Sequence, residues 1–427
     1  QFKFYNNDNR AVQVEQIELM GGSNSPYRIN VDGVSGISFS DINMEGNDSL
    51  FVFVEVTLDP NSGLLPMVIE DSVRFRTNGV DQYVQLAAWG QDAYFHYSDF
   101  SIPNGGGLDI NAGTWPNDKP HVILNTAFID SATTLTIQQG TNIYLHKGAI
   151  LYNYKGTLNI EGTKDFPVTL QGDRLEAAYD NVSGQYYGIY MQEAQESSID
   201  YAIIKNGIAG IHLFGNDASN PNYTLNLSNT VIENCARYGL FIYSGGKIHA
   251  ENCIVNRNGT HGMLVLEGGA FNLNHCTIVG YASGDESSAA VGISNYFVDQ
   301  INAVTNVGSI SEGTITNSII YGNLEYELAI DTIPDPAITL NFDIQNNLIR
   351  SETIFTESFY QNNIWNSDPE FFNTSDGDYH WTITSPLNGN ANSAFTGMMV
   401  NPSTAGFDIH GTMRDGSTPD IGAFEKL

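Results

Sequence analysis

The sequence predicts an all-β chain in two parts. A small β-sandwich spans residues 1–105, and a parallel β-helix, a solenoid with coils of about 22–23 residues, spans 106–427. Three observations predict it. Short alternating strands fill the first hundred residues, strand phrases then recur at a fixed period, and the intervals between them leave no room for helices.

In the first part, Val52, Val54, Val56 and Leu58 alternate with Phe51, Phe53, Glu55 and Thr57, as one strand with two unlike faces. Val73, Phe75 and Thr77 alternate with Arg74 and Arg76. Asn78-Gly79 follows, and then Val84, Leu86 and Ala88 alternate with Tyr83, Gln85 and Ala87. Asn and Gly both tolerate positive φ, so an Asn-Gly between alternating runs predicts a hairpin. Pro103-Asn104-Gly105-Gly106-Gly107 reads as the linker.

In the second part, Thr134-Leu135-Thr136-Ile137 recurs as Thr157-Leu158-Asn159-Ile160. Gly188-Ile189-Tyr190-Met191 returns at Gly210, Gly239, Gly262 and Gly292, with intervals of 22, 29, 23 and 30 residues. Polar inserts at Gly215–Asn222 and Ala282–Ser288 account for the two long intervals. A third phrase places Ala202, Thr230, Cys253, Cys276 and Ser318 just before Ile203, Val231, Ile254, Thr277 and Ile319. Three residues upstream of each lies Ile199, Leu227, Ala250, Leu273 or Ile315. Strand-only repeats of this length stack coil on coil at ~4.8 Å. Cys253 and Cys276 then share a small inward position, where parallel Cβ vectors disfavour a disulfide and predict free buried thiols. Asn229, Asn252 and Asn317, with His275 in the same register, predict a ladder of bonded amides.

Composition narrows the partners. With 48 Asp and Glu against 17 Lys and Arg, the net charge is −31, which excludes nucleic acid and disfavours anionic lipid. No run is long enough for a transmembrane helix. Three Cys are too few for a disulfide scaffold, and no Cys-x-x-Cys pair suggests zinc. The chain opens on Gln1, compatible with a leader removed from an exported or lipid-anchored protein.

From about residue 108 onward the chain resembles the secreted right-handed parallel β-helix proteins called pectate-lyase-like. The resemblance is carried by Asn366-Ser367-Asp368-Pro369-Glu370-Phe371, Gly377-Asp378-Tyr379-His380-Trp381 and Ser385-Pro386. Asp408-Ile409-His410-Gly411-Thr412-Met413-Arg414 and Pro419-Asp420-Ile421-Gly422-Ala423-Phe424-Glu425 complete it. It implies a right-handed coil, an extracellular or cell-surface location of Bacteroidetes type with a lipid anchor in the outer membrane as one option, and a closing segment over about 366–427. Its functions range from lyases and hydrolases to adhesins and stalks.

The catalytic patterns of those enzymes are not found. No Asp pair stacks on successive coils over 188–320, and no Asp-Asp dipeptide occurs. A weaker group remains: Glu233, Arg237, Arg257 and His261, with Tyr238 one coil from His261. A Glu–Arg–His group suits acid–base work on a sugar, and a solvated turn of ordinary ion pairs is the plainer account. The acids Asp408, Asp420 and Glu425, with Arg414, read as a cap for the last coil, with Arg414 paired to Asp408 or Asp420. No cofactor or metal is expected, with a structural or substrate-linked calcium left open.

The outward positions of the Gly-initiated strand are more informative. If Ile189, Ile211, Leu240 and Met263 point inward, then Tyr190, His212, Phe241 and Leu264 point outward, followed by Gln192, Phe214, Tyr243 and Leu266. Such a face needs a cover. A segment of the same chain within 296–375, a stacked sugar chain, or a protein would each serve. Tyr186 and Tyr187, expected at the lip, favour an open face. The ligand-binding candidates are Tyr190, His212, Phe214, Phe241 and Tyr243. The sequence therefore favours a non-catalytic exported protein binding polysaccharide or a cell-surface protein along one face. A polysaccharide lyase, a glycoside hydrolase and a structural stalk or adhesin are the alternatives.

Overall fold

The structure, a computed structural model, describes residues 1–57, 67–90, 92–98, 110–215, 222–281, 288–399 and 401–426. The chain forms two compact units, Gln1–Ala93 and Tyr94–Leu427. The linker expected at 103–107 lies outside the described residues, as do 216–221 and 282–287 of the two polar inserts. Tyr94–His96 pairs in parallel with His121–Ile123, so the second unit starts ahead of the boundary expected near 105.

The first unit has two four-stranded antiparallel sheets. Val14, Ile17, Tyr27, Ile29, Val52, Val73 and Phe75 are among the residues that join both sheets in one core. Asn78 and Gly79, at φ of 52° and 75°, make the two-residue turn between Thr77 and Val80. Arg74 and Arg76 face outward and pair with Glu18 at 2.6 Å and Glu15 at 3.4 Å.

The second unit is a right-handed parallel β-helix. Among the described residues it has three parallel sheets, of ten, eleven and eight strands. The repeat phrases fall in register: Thr134 opposite Thr157, Ile199 opposite Leu227, Ile203 opposite Val231 and then Ile254. Cys235, Cys253 and Cys276 are buried free thiols.

The repeated glycine has a steric cause. A Cβ on Gly210 would lie 2.4 Å from Ile232 Cγ2, and one on Gly239 would lie 2.3 Å from Val255 Cγ1 and 2.7 Å from the Gly262 carbonyl. The corner into the eight-stranded sheet is too tight for a side chain. Gly239→Ala should therefore cost about 1–3 kcal/mol, read as a lowered urea midpoint with unchanged slope. The fifth glycine does not belong to this row. Gly292 pairs with Leu264, and Ala290 precedes Val291, the partner of Met263. The repeat there is offset by two residues.

The polar ladder is set by backbone conformation. Tyr201, Asn229, Asn252, His275, Asn317 and Asn346 all have φ between 46° and 57°, at the turn into the eleven-stranded sheet. Asn is among the residues that best tolerate this region. Asn252 donates to Asn229 Oδ1 at 3.2 Å, and Asn317 meets His275 at 3.1 Å. The ladder also holds the C-terminal segment, since Asn252 donates to the Phe407 carbonyl and Asn317 to that of Asn392.

That segment packs against the side of the coils. In the last coils Leu340, Phe342, Phe359, Tyr360 and Trp365 are partly buried and pack against the core. Residues beyond Asn366 run back along the outer face of the eleven-stranded sheet. There Tyr379, Trp381, Leu387, Ile409, Ile421 and Phe424 bury Ile254, Ile319 and Leu348 in a second core. Ser403 reaches Asp200 at 2.7 Å, several coils from the end. An outer face rich in β-branched apolar residues is what the segment covers. Asp408 and Asp420 do not pair with Arg414 through their carboxylates. They accept backbone N–H groups of His410, Thr412 and Glu425, and of Gly389 and Lys426.

Candidate functional site

The outer face of the eight-stranded sheet follows from strict alternation. Ile189, Ile211, Leu240 and Met263 are buried in the core. Their neighbours stand outward in register as one file: Phe128, Tyr152, Tyr190, His212, Phe241. Successive ring centroids along it lie 5.5, 5.2, 4.7 and 4.5 Å apart. A second file runs Tyr154, Gln192, Phe214, Tyr243, Leu266. Phe214 and Tyr243 are 5.4 Å apart, and Phe241 and Tyr243 are 5.7 Å apart.

The eleven-stranded sheet provides an internal comparison. Under the C-terminal segment, the outward residues Thr277, Ile319 and Leu348 are 0% exposed. Tyr190, Phe214, Phe241 and Tyr243 are only half-buried, the state of rings that touch their neighbours and still meet solvent. Of the stretch 296–375, the hairpin of Tyr296–Asp299 and Val304–Val307 reaches the face, where Phe297 meets Tyr243 edge-on at 6.1 Å.

His212 sits deepest among these outward rings of the first file's middle coils. The Tyr187 hydroxyl bonds its Nδ1 at 2.7 Å, and its Nε2 is buried without a partner. Burial among rings pushes its pKa down to about 4, so it is neutral at physiological pH. The Tyr152 hydroxyl donates to Gln192 Oε1 at 2.6 Å and ties the two files together. Tyr187 is thus at the lip as expected. Tyr186 is not: it is wholly buried, its hydroxyl donating to the Lys205 carbonyl at 2.8 Å. Alternation cannot be counted back through the turn before Gly188.

The four acid–base candidates take separate duties. Arg257 pairs with Glu233 at 2.5 Å on the outer side of the eleven-stranded sheet. His261 starts the next strand, parallel to Tyr238 at 6.2 Å, and its Nδ1 meets the Ala289 carbonyl at 2.7 Å. The Arg237 backbone N–H donates to Ile208, and its carbonyl accepts from Thr260.

A groove that the sequence reading did not assign lies beside Glu233. Asp376, Asp378, His380 and His410 border it above Val231, Ile254 and Phe424, and its volume is 330 Å³. It continues past Phe424 into a 320 Å³ cavity lined by Phe372, Trp381 and Lys426. His380 Nδ1 bonds Asp378 Oδ1 at 2.6 Å, and its ring stacks on Phe424 at 4.0 Å, 5.2 Å from His410. Burial lowers the His410 pKa. The pair Asp378–His380 was visible only as part of a family-like motif. Of the groove's other residues, Val231, Glu233 and Ile254 come from strands more than a hundred residues away.

Among curated proteins none matches this chain. Among solved structures, the catalytic unit of a thermostable GH87 α-1,3-glucanase from Streptomyces thermodiastaticus strain HF3-3 aligns at 13% identity and a TM-score of 0.31. The alignment covers 85% of this chain and 74% of that one. A family model described as "Right handed beta helix region" matches residues 87–284, which hold the coils carrying the aromatic files through Leu266.

Proposed function

We propose that the chain is an exported surface protein that binds a neutral polysaccharide along the outer face of its eight-stranded sheet. The observation that carries this reading is an aromatic strip, five coils long, whose Tyr152, Tyr190, Phe214, Phe241 and Tyr243 stay half-buried, set against the neighbouring sheet where Thr277, Ile319 and Leu348 are fully covered. Each ring gives part of its face to the next one. The tilts of 28–58° between successive rings leave a corrugated strip on which the half-buried rings of Tyr152, Tyr190 and Phe241 offer the contacts. That geometry suits an extended chain lying along the helix axis, its apolar sugar faces against the rings. Neutrality follows from charge, since a protein of net charge −31 repels polyuronates and the two files contain no cation.

The test is retention on immobilised neutral and uronate polysaccharides. Phe241→Ala with Tyr243→Ala should lower retention on a neutral polymer at least about tenfold, a loss of about 1.4 kcal/mol, with little change in melting temperature. Equal retention by the variant sinks this reading. A large loss of stability instead would mean that the rings are structural.

A second reading, glycan cleavage, draws on the groove at Asp378 and His380, where a carboxylate orients an imidazole as a general base requires. It calls for new reducing ends from the same polymers, with or without calcium, that disappear in His380→Ala. Silence across the panel leaves binding alone.

A further inference from the structure

One strand of the first unit turns its aliphatic side chains inward and its rings outward. Ser49–Val56 is a central strand, paired with Phe2–Tyr5 on one side and Tyr27–Val31 on the other. Leu50 and Val52 are buried, while Phe51 and Phe53 are 40% and 46% exposed. Their rings are neighbours, with centroids 6.2 Å apart and planes within 15°. An isolated exposed apolar residue needs no explanation, but a pair of large rings on the solvent side of a central strand does.

Register gathers polar groups around the pair. Lys3 lies opposite Phe51 and places its ammonium 4.3 Å from the ring centroid. On the other side Asn30 lies opposite Phe53, Arg28 opposite Glu55, and Ser35 opposite Asn30. Arg28, Asn30, Ser35, Phe53 and Glu55 line a 410 Å³ cavity. Asn30 donates to Ser35 Oγ at 3.1 Å, and its own Oδ1 is buried without a partner. A buried carbonyl oxygen with no donor is costly, and a bound hydroxyl beside it would remove that cost.

We propose that this face is a second glycan-binding site, independent of the strip on the β-helix. A sugar ring would rest on Phe51 and Phe53, with its hydroxyls bonded to Arg28, Asn30, Ser35 and Glu55. A sugar presents this combination, an apolar face edged by hydroxyls that donate and accept. A folded protein is a poorer fit. Stable interfaces bury about 1,200 Å² or more around an apolar centre, and here the apolar part is Phe51 and Phe53, with Tyr5 on the adjacent strand, interrupted by Lys3, Arg28 and Glu55.

The test uses the full chain and four probes: starch, mannan, xylan and chitin oligosaccharides, each immobilised. Phe51→Ala with Phe53→Ala should lower retention on at least one probe about tenfold and leave the melting temperature unchanged. Glu55→Gln, which keeps both rings, should lower it on the same probe. Loss in Phe241→Ala/Tyr243→Ala, with wild-type retention in both first-unit variants, overturns the second site and leaves the β-helix strip standing. The reverse pattern upholds the second site and removes the strip. No retention of the unaltered protein on any probe overturns both.

Discussion

Leu240→Asp is expected to yield no cooperatively folded protein. Leu240 is 1% exposed and stacks in register between Ile211 and Met263, each 0% exposed, within the core that runs the length of the β-helix. The substitution removes about 2–5 kcal/mol of leucine packing. It also asks a carboxyl to sit where the described neighbours are apolar, which costs several kcal/mol more whether it stays charged or takes up a proton. In a solenoid each coil rests on its neighbours, so a mid-length defect uncouples the coils on both sides. The measurement is far-ultraviolet circular dichroism with a urea titration, and Phe241→Asp is the control. Phe241 is the next residue on the same strand and faces outward, half-buried. That variant should fold with a modest loss. A folded, cooperative Leu240→Asp protein would refute the inward assignment.

The contrast between residues 240 and 241 was legible in the sequence because repetition supplies what a single strand lacks. One strand such as Ser49–Val56 offers two apolar rows, and alternation alone does not say which is buried. The structure buries Leu50 and Val52 and exposes the phenylalanines. In the β-helix the same phrase recurs on several coils, and each recurrence repeats the assignment. Where the phrase is matched by one glycine alone, the method fails. Gly292 looks like the others, yet the tight corner that excludes a Cβ at Gly239 is met in that coil by the backbone beside Ala290.

The C-terminal segment was harder to read for a related reason. It contains no repeat, so nothing in its sequence says which surface it covers. Its docking site is the outward row Ile254, Thr277, Ile319 of the eleven-stranded sheet, recognisable beforehand as a row but not as a buried one. The same ambiguity hid the groove at His380 and His410, which exists only once the segment lies against Glu233 and Ile254. Covering one outer face and leaving the other half-open makes the aromatic strip a distinct surface and not a general property of the coil.

Arg414→Ala should therefore act on the cover more than on the coils. The side chain is 1% exposed, and its guanidinium donates to the carbonyls of Asp420, Gly422 and Phe424, to Asn252 Oδ1 and to Glu425 Oε2. Burial lowers its pKa to about 10, still far enough above neutrality for it to stay charged. Truncation strands three carbonyls, and it leaves the Glu425 carboxylate, 4% exposed, without its cation. Removing one partner of a buried pair costs about 3–5 kcal/mol, most of it the penalty on the charge left behind. Thermal melting should show an early transition, and limited proteolysis should cut within residues 366–426 before the coils are attacked. Replacing Arg414 and Glu425 together with Met should recover part of the loss, since neither charge is then stranded, while the three carbonyls and the N–H groups of Asp415 and Asp420 stay unpaired. If Arg414→Ala melts with the unaltered protein and its C-terminal segment resists protease, Arg414 is not what fastens the cover. The apolar contacts of Tyr379, Trp381, Ile421 and Phe424, with the bonds from Asn252 and Asn317 to the backbone of the segment, would then hold it.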